Sequence, residues 1–289
     1  MARRTFALAA HRLHRQAEGG LTKWVRASEQ AIRALDLGIA AVGASADTLE
    51  DLQLLREFDG LTRLPYGRKG GIVQVVSRIA GGIRPTDELA GAIYLLDPLD
   101  PSSLYPEAQA LKRQCITHGK PLLLTVSGAI EWMAVEEAVH FQKSLRTRPP
   151  QALPAPEDQA IALIAHDALK SAMVDFASQH FDRLTAVKER YATGTTGSKL
   201  NEMAWSRGWP RGRPWVIPLQ SGPMGGDAQI AELVLEQRCQ KVFFFEDVHV
   251  ARQHEADIQL LERAVCTAGH EAVCFNTPTM AHTWAQAWS

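Results

Sequence analysis

Two glycine- and hydroxyl-rich stretches in the second half of the chain hold the residues best suited to chemistry. They read Tyr191-Ala-Thr-Gly-Thr-Thr-Gly197 and Leu219-Gln-Ser-Gly-Pro-Met-Gly-Gly-Asp227. Each follows a short apolar run with strand character, Leu184 to Val187 before the first and Trp215 to Leu219 before the second, and each leads into a helix-forming segment. A strand that ends in Gly, Ser and Thr and opens a helix can cradle a phosphate. Glycine lets the backbone approach, hydroxyls donate, and the helix N-terminus supplies unpaired N–H groups and partial positive charge. Asp227 does not fit that role, because a carboxylate repels a bound phosphate. It fits a base acting on the carbon skeleton.

Other polar residues fall where strands would end: His166, Asp167 and Lys170, then Thr193 to Thr196, Ser221 and Gly222, and Asp247 with His254 and Asp257. In a doubly wound sheet the strand C-termini share one edge and ligands bind there, so these scattered groups would converge. The elements that must carry them alternate. Strands are expected at 6–10, 38–42, 61–64, 91–96 and 121–126, with helices at 21–35, 49–58, 72–80, 106–118 and 127–139. The same order restarts with strands at 160–165, near 184–191, 215–219, 241–245 and 271–275, and helices at 171–179, 256–267 and 278–288. Alternation of this kind predicts parallel sheets covered on both faces. Between the halves, Arg146-Thr-Arg-Pro-Pro150 and Pro154-Ala-Pro156 read as a stiff polar linker. The expected division is therefore a domain at 1–140, a linker at 141–158 and a second domain at 159–289. Ala10-His11 and Ala165-His166, like Gly70-Gly71 and Gly225-Gly226, stand 155 positions apart, while Asp97 and Asp247 stand 150 apart, which reads as a tandem duplication.

Composition narrows the class. With 46% apolar and 22% charged residues the chain is an ordinary globular sequence, and a net charge of −1 gives no general attraction to nucleic acid or anionic membrane. No apolar run reaches the ~20 residues of a membrane span, and the basic, then briefly apolar, N-terminus is too short for a signal segment. Cys115, Cys239, Cys266 and Cys274 show no metal-ligand spacing. A cytoplasmic protein is expected.

Ile161-Ala-Leu-Ile-Ala-His-Asp167 with Lys170, the Thr-Gly-Thr-Thr-Gly turn, Ser221-Gly-Pro-Met-Gly-Gly-Asp227, and Phe243-Phe-Phe-Glu-Asp247 with His254-Glu-Ala-Asp257 resemble methylglyoxal synthase. The resemblance runs from about Asp158 to Trp288. It implies a fold of two tandem methylglyoxal synthase-like doubly wound domains, each α/β with a five-stranded parallel sheet. It also implies conversion of dihydroxyacetone phosphate to methylglyoxal and phosphate without metal or organic cofactor. On that basis Lys170, Thr193, Gly194, Thr195, Thr196, Ser221 and Gly222 hold the phosphate and Asp227 is the base. His254 polarises the substrate oxygens, His166 touches substrate, and Asp167, Asp247 and Asp257 orient these groups.

The family's carboxy-terminal arginine, which reaches a neighbouring subunit's phosphate site, has no counterpart before Ser289, and one of Arg207, Arg211 and Arg213 is expected to replace it. In the first half, Arg12, Arg15, Ile72, Leu104 and Glu107 occupy the places of Asp167, Lys170, Asp227, His254 and Asp257, so no reaction is expected there. Tyr66, Arg68 and Lys69 read equally as an anion site or a plain basic turn. The resemblance further implies a homo-oligomer, a trimer of two-domain chains. Two other readings stay open: a non-catalytic regulatory protein binding a phosphorylated metabolite, and a lyase or isomerase acting on another phosphoketone.

Overall fold

The computed structural model describes residues 3–104, 106–145, 154–249, 255–268 and 272–288. The chain forms two compact units, Met1–Lys143 and Ser144–Ser289. In the first, strands β1 (Thr5–Ala10), β2 (Gly38–Val42), β3 (Leu61–Leu64), β4 (Gly91–Leu95) and β5 (Leu122–Leu123) form a parallel sheet in the order β3-β2-β1-β4-β5. Five helices accompany it: α1 (Gly20–Ala34), α2 (Gly43–Asp51), α3 (Gly71–Ile79), α4 (Pro106–Thr117) and α5 (Val126–His140).

The second unit repeats the plan. Strands β6 (Ala160–Ala165), β7 (Glu189–Ala192), β8 (Ile217–Pro218), β9 (Lys241–Phe245) and β10 (Val273–Phe275) stand in the order β8-β7-β6-β9-β10, again all parallel. Its helices are α6 (Lys170–Gln179), α7 (Phe181–Ala186), α8 (Gly194–Ser206), α9 (Gly226–Leu235), α10 (Glu255–Ala268) and α11 (Pro278–Ala287).

Side-chain alternation along each strand sets the two faces. In the second unit Ala160, Ala162 and Ile164 bury against Ile230 and Val234 of α9 and Leu261 and Val265 of α10. The intervening Ile161 and Leu163 are as deeply buried, as are Phe176 of α6, Leu200 of α8 and Trp284 of α11. The same holds for Ala7 and Ala9, which join Val75 and Ile79 of α3 and Leu111 of α4. Strands hidden on both faces are nearly unbroken apolar runs, which is why Ala-Ile-Ala-Leu-Ile-Ala and Lys-Val-Phe-Phe-Phe are legible as strands. In both units the strand order reverses beside the first strand, placing a switch point between β1 and β4 and between β6 and β9.

Several expected elements differ, among them the strand at 121–126, which shrinks to Leu122–Leu123. The run 184–187 is not a strand, for Phe181–Ala186 is helix α7 and the strand starts at Glu189, in register with Ala160. Short apolar runs do not distinguish the two states. The strand expected at 215–219 shrinks to Ile217–Pro218, because Asn201 Oδ1 accepts the N–H groups of Trp215 and Val216 at 2.7 and 2.9 Å. Pro218 itself has no N–H to donate, as suits an edge strand. Helix α2 starts at Gly43 and ends at Asp51 rather than covering 49–58, because positive φ at Gln53, Leu55 and Glu57 prevents its continuation. Of the linker expected at 141–158, residues 146–153 lie outside the described residues.

Candidate active site

The C-terminal edge of the second sheet gathers most of the residues singled out above. His166 follows β6, and its backbone N–H bonds Phe245 O across the switch point at 3.1 Å. Its Nδ1 accepts the backbone N–H of Asp247, just past β9, at 2.8 Å. With Nδ1 accepting, the proton of a neutral ring sits on Nε2, which makes that nitrogen a donor. The ring lies edge-on to Phe244 at 5.0 Å. Asp247 Oδ1 in turn accepts from His249 N–H at 2.9 Å, fixing the loop after β9. Behind it, buried Glu246 accepts from Asn276 Nδ2 at 2.7 Å.

The two glycine turns lie against each other. The N–H of Gly194, first residue of α8, bonds Gln220 O at 3.0 Å. A Cβ on Gly194 would stand 2.9 Å from both N and Cα of Ser221. Only glycine permits this approach, and it places Ser221 against the N-terminus of α8. Thr193 caps that helix in an extended conformation and is 5% exposed, Thr195 is exposed, and Thr196 is 1% exposed. The Thr196 hydroxyl is buried without a hydrogen-bond partner among the described residues, a group that ordinarily costs about 1–3 kcal/mol.

After Ser221 the chain makes a short 3-10 turn, Gly222–Met224, and passes through Gly225 at φ 95° into α9. That left-handed residue turns the chain so that Asp227 falls in the first turn of α9, 6% exposed. A Cβ on Gly222 would lie 3.1 Å from Asp227 Oδ2, so the carboxylate faces back onto the Ser221-Gly222 loop.

One supporting residue was not anticipated. Gln229 Oε1 accepts the Gln220 N–H at 2.9 Å. Gln220 thus ties α9, which carries Asp227, to the turn that opens α8. A Gln two positions after the Asp was the available signal, but only the fold shows what it bonds.

Lys170 opens α6 and pairs with Asp167, whose side chain is almost wholly exposed. Asp167 therefore stands at the rim rather than behind the site. His254 lies outside the described residues, as does the side chain of Asp257.

The arginines considered as replacements follow helix α8. Arg207 follows the last turn of α8, stacks over Phe181 at 5.0 Å and bonds Ser178 Oγ at 3.3 Å. Arg213 stacks over Trp209 at 4.4 Å. Arg207 stands a helix length from Gly194, 13 residues at ~1.5 Å each spanning about 20 Å. Arg211 and Arg213 line a surface cavity of about 420 Å³ with Ser198, Glu202 and Trp205 of α8 and Pro218 of β8.

The first unit keeps this frame with other side chains. Gly43 opens α2 as Gly194 opens α8, Gly70 at φ 85° matches Gly225, and Ile72 stands where Asp227 does. Tyr66 takes the place of Ser221. A Cβ on Gly43 would be 2.8 Å from its ring, and its hydroxyl donates to Asp47 Oδ2 at 3.0 Å. Arg63 pairs with that same carboxylate, and Arg68 stacks on the Tyr66 ring at 5.8 Å.

Fold and site define a doubly wound α/β protein that presents two glycine-rich helix N-termini and a buried carboxylate at one switch edge. No family model matches the chain. Among curated relatives, a methylglyoxal synthase of Thermus thermophilus is 42% identical over 111 residues, 37% of this chain and 78% of the relative. That of Clostridium beijerinckii is 39% identical over 119 residues, 41% of this chain and 92% of the relative. The crystal structure of methylglyoxal synthase from Elizabethkingia anophelis NUHP1 aligns at 35% identity and a TM-score of 0.30, covering 36% of this chain and 66% of that one. The chain belongs to the methylglyoxal synthase family.

Proposed function

We propose that the second unit converts dihydroxyacetone phosphate to methylglyoxal and inorganic phosphate. The observation that carries this reading is the burial of Asp227 with its carboxylate turned onto the Ser221-Gly222 loop. A base and an anion cradle then face one small substrate. The phosphate sits on the N-termini of α8 and α9, held by Thr193, Gly194, Thr195, Thr196, Ser221 and Gly222, with Lys170 at the rim. Asp227 takes a proton from the carbon alpha to the carbonyl, and the electron pair moves to the carbonyl oxygen. The resulting enediolate needs placed donors. His166, with its neutral-ring proton on Nε2, supplies one, and the family resemblance assigns another to His254. Collapse of the enediolate breaks the carbon–oxygen bond to phosphate, and the released enol becomes methylglyoxal.

The first unit does not turn over on this reading. Ile72 cannot act as a base, and the Tyr66–Asp47–Arg63 network fills the surface beside Gly43. The repeated strand order supports descent of both units from one duplicated α/β unit. A homo-oligomer built as a trimer of such chains, in the cytoplasm, completes the proposal. The described residues contain no helix long and apolar enough to cross a membrane.

The test is an assay of methylglyoxal from the purified chain and dihydroxyacetone phosphate. Asp227→Asn should lower turnover by at least ~10²-fold, as loss of a general base does, with phosphate affinity kept. Near-normal turnover by that variant would remove Asp227 from the role.

A further inference from the structure

We propose that the switch-point crevice of the first unit is a binding site for a divalent first-row cation, held by His11, Asp97 and Asp100. The inference is independent of the reaction assigned to the second unit. His11 follows β1 and Asp97 follows β4, the two neighbouring strands beside which the strand order reverses. That crevice is where open α/β sheets hold ligands. Ligand atoms of the three residues all lie within 4.8 Å of one another. His11 Nε2 is 3.0 Å from Asp100 Oδ2, and Nδ1 is 3.5 Å from Asp97 Oδ2.

The carboxylates are held with one oxygen toward the ring. Asp97 Oδ1 accepts Leu99 N–H and Asp100 Oδ1 accepts Ser102 N–H, each at 2.9 Å, while Ser103 Oγ accepts Asp97 N–H at 3.3 Å. Their Oδ2 atoms remain directed at His11. The three side chains are 12%, 17% and 21% exposed, sheltered yet open to entry. Two further contacts must yield or adapt. Arg12 lies 3.5 Å from Asp100 Oδ2, but its side chain is 78% exposed and free to swing into solvent. Leu13 N–H approaches His11 Nδ1 at 3.4 Å, a long contact.

The second unit keeps the histidine and the first aspartate as His166 and Asp247. At the position matching Asp100, 150 residues on, it has Val250. Among the described residues the three-donor set is found in the first unit. One imidazole and two carboxylates suit Mn²⁺, Fe²⁺, Co²⁺ or Zn²⁺ better than thiophilic ions, and three protein ligands leave positions for water.

The experiment uses the full chain, stripped with chelator. Co²⁺ is titrated while visible d–d absorption is followed, and Mn²⁺ and Zn²⁺ are titrated calorimetrically. The expected result is one ion per chain. Asp100→Asn should weaken it at least tenfold, and the Asp97→Asn/Asp100→Asn pair by ~100-fold or more, exceeding the ~10–100-fold typical of outer-shell partners. Circular dichroism checks that both variants fold, and Asp100→Asn alone decides if the pair does not. His282→Asn is the control, because His180 Nε2 and His282 Nδ1, 3.0 Å apart, form the other imidazole pair able to take a metal. Binding weaker than about 100 μM (roughly −5.5 kcal/mol), binding untouched by Asp100→Asn, or binding abolished by His282→Asn would each overturn the proposal.

Discussion

Substituting Gly194 by alanine tests the contact between the two glycine turns. The new methyl would stand 2.9 Å from Ser221 N and Cα and 3.0 Å from its Cβ, where ordinary contact begins near 3.4 Å. Ser221 must retreat by about 0.5 Å, and two of the three atoms in its way are backbone, so no rotamer change relieves it. Overpacking of this kind costs about 1–3 kcal/mol, and each kcal/mol moves a melting midpoint by ~2–4 °C in a unit of this size. The same retreat stretches the Gly194 N–H to Gln220 bond of 3.0 Å and opens the cradle. Since ~1 Å of misplacement costs about 10²-fold in rate, half of that should cost roughly tenfold in turnover or phosphate affinity. Gly197, on the same helix, is the internal control. Its added methyl would meet Ala192 Cβ and Pro218 Cβ at 3.4 Å, ordinary contact. At the end of the first turn of α8, alanine there should stabilise by up to ~1 kcal/mol with activity kept. Thermal melts with phosphate calorimetry on both variants provide the measurement. Equal stability and equal phosphate affinity in Gly194→Ala and the parent would refute the reasoning.

Thr196→Val removes a buried hydroxyl that makes no bond within the described residues, so stability should stay level or rise by ~1 kcal/mol. If that hydroxyl serves the anion, phosphate calorimetry will show at least tenfold weaker binding. Gln229→Ala leaves the Gln220 N–H without its acceptor and should cost about 1 kcal/mol in urea melts, with kcat falling more than phosphate affinity. Acid should weaken the second unit through His180, whose pKa is pushed down to about 4 by burial, then by His282 and Arg183. A depressed histidine means that the unfolded chain binds more protons between pH ~6.5 and ~4, so stability falls as pH drops through that window and levels below it. His180→Gln, followed by melts across that range, should flatten the slope.

The two glycine turns were legible because their residue types have few other uses in that order. Thr-Gly-Thr-Thr-Gly and Ser-Gly-Pro-Met-Gly-Gly-Asp each demand close backbone approach or positive φ, and Gly194 against Ser221 and Gly225 at φ 95° show why. The parallel sheets of both units were legible in near-continuous apolar strands and matched spacing, while the strand order came from the structure. Where local pattern was ambiguous the reading failed: 184–187 became helix α7, and Trp215-Val216 gave their N–H groups to Asn201. No short window of sequence contains Asn201 and Trp215 together, so the competition between a side-chain acceptor and a strand partner cannot be read locally.

Sequence alone determined which residues could act, because residue identity fixes whether a group can donate, accept or ionise. Tertiary structure decided which of them meet. It turned Asp227 onto Gly222, set Nδ1 of His166 against Asp247, left Asp167 at the rim, and put Arg207 at the far end of α8. It also closed His11, Asp97 and Asp100 into one cluster across a strand-order reversal. Such meetings depend on chain crossovers between distant segments, and burial of the sheet faces, rather than any local preference, supplies the free energy that holds them.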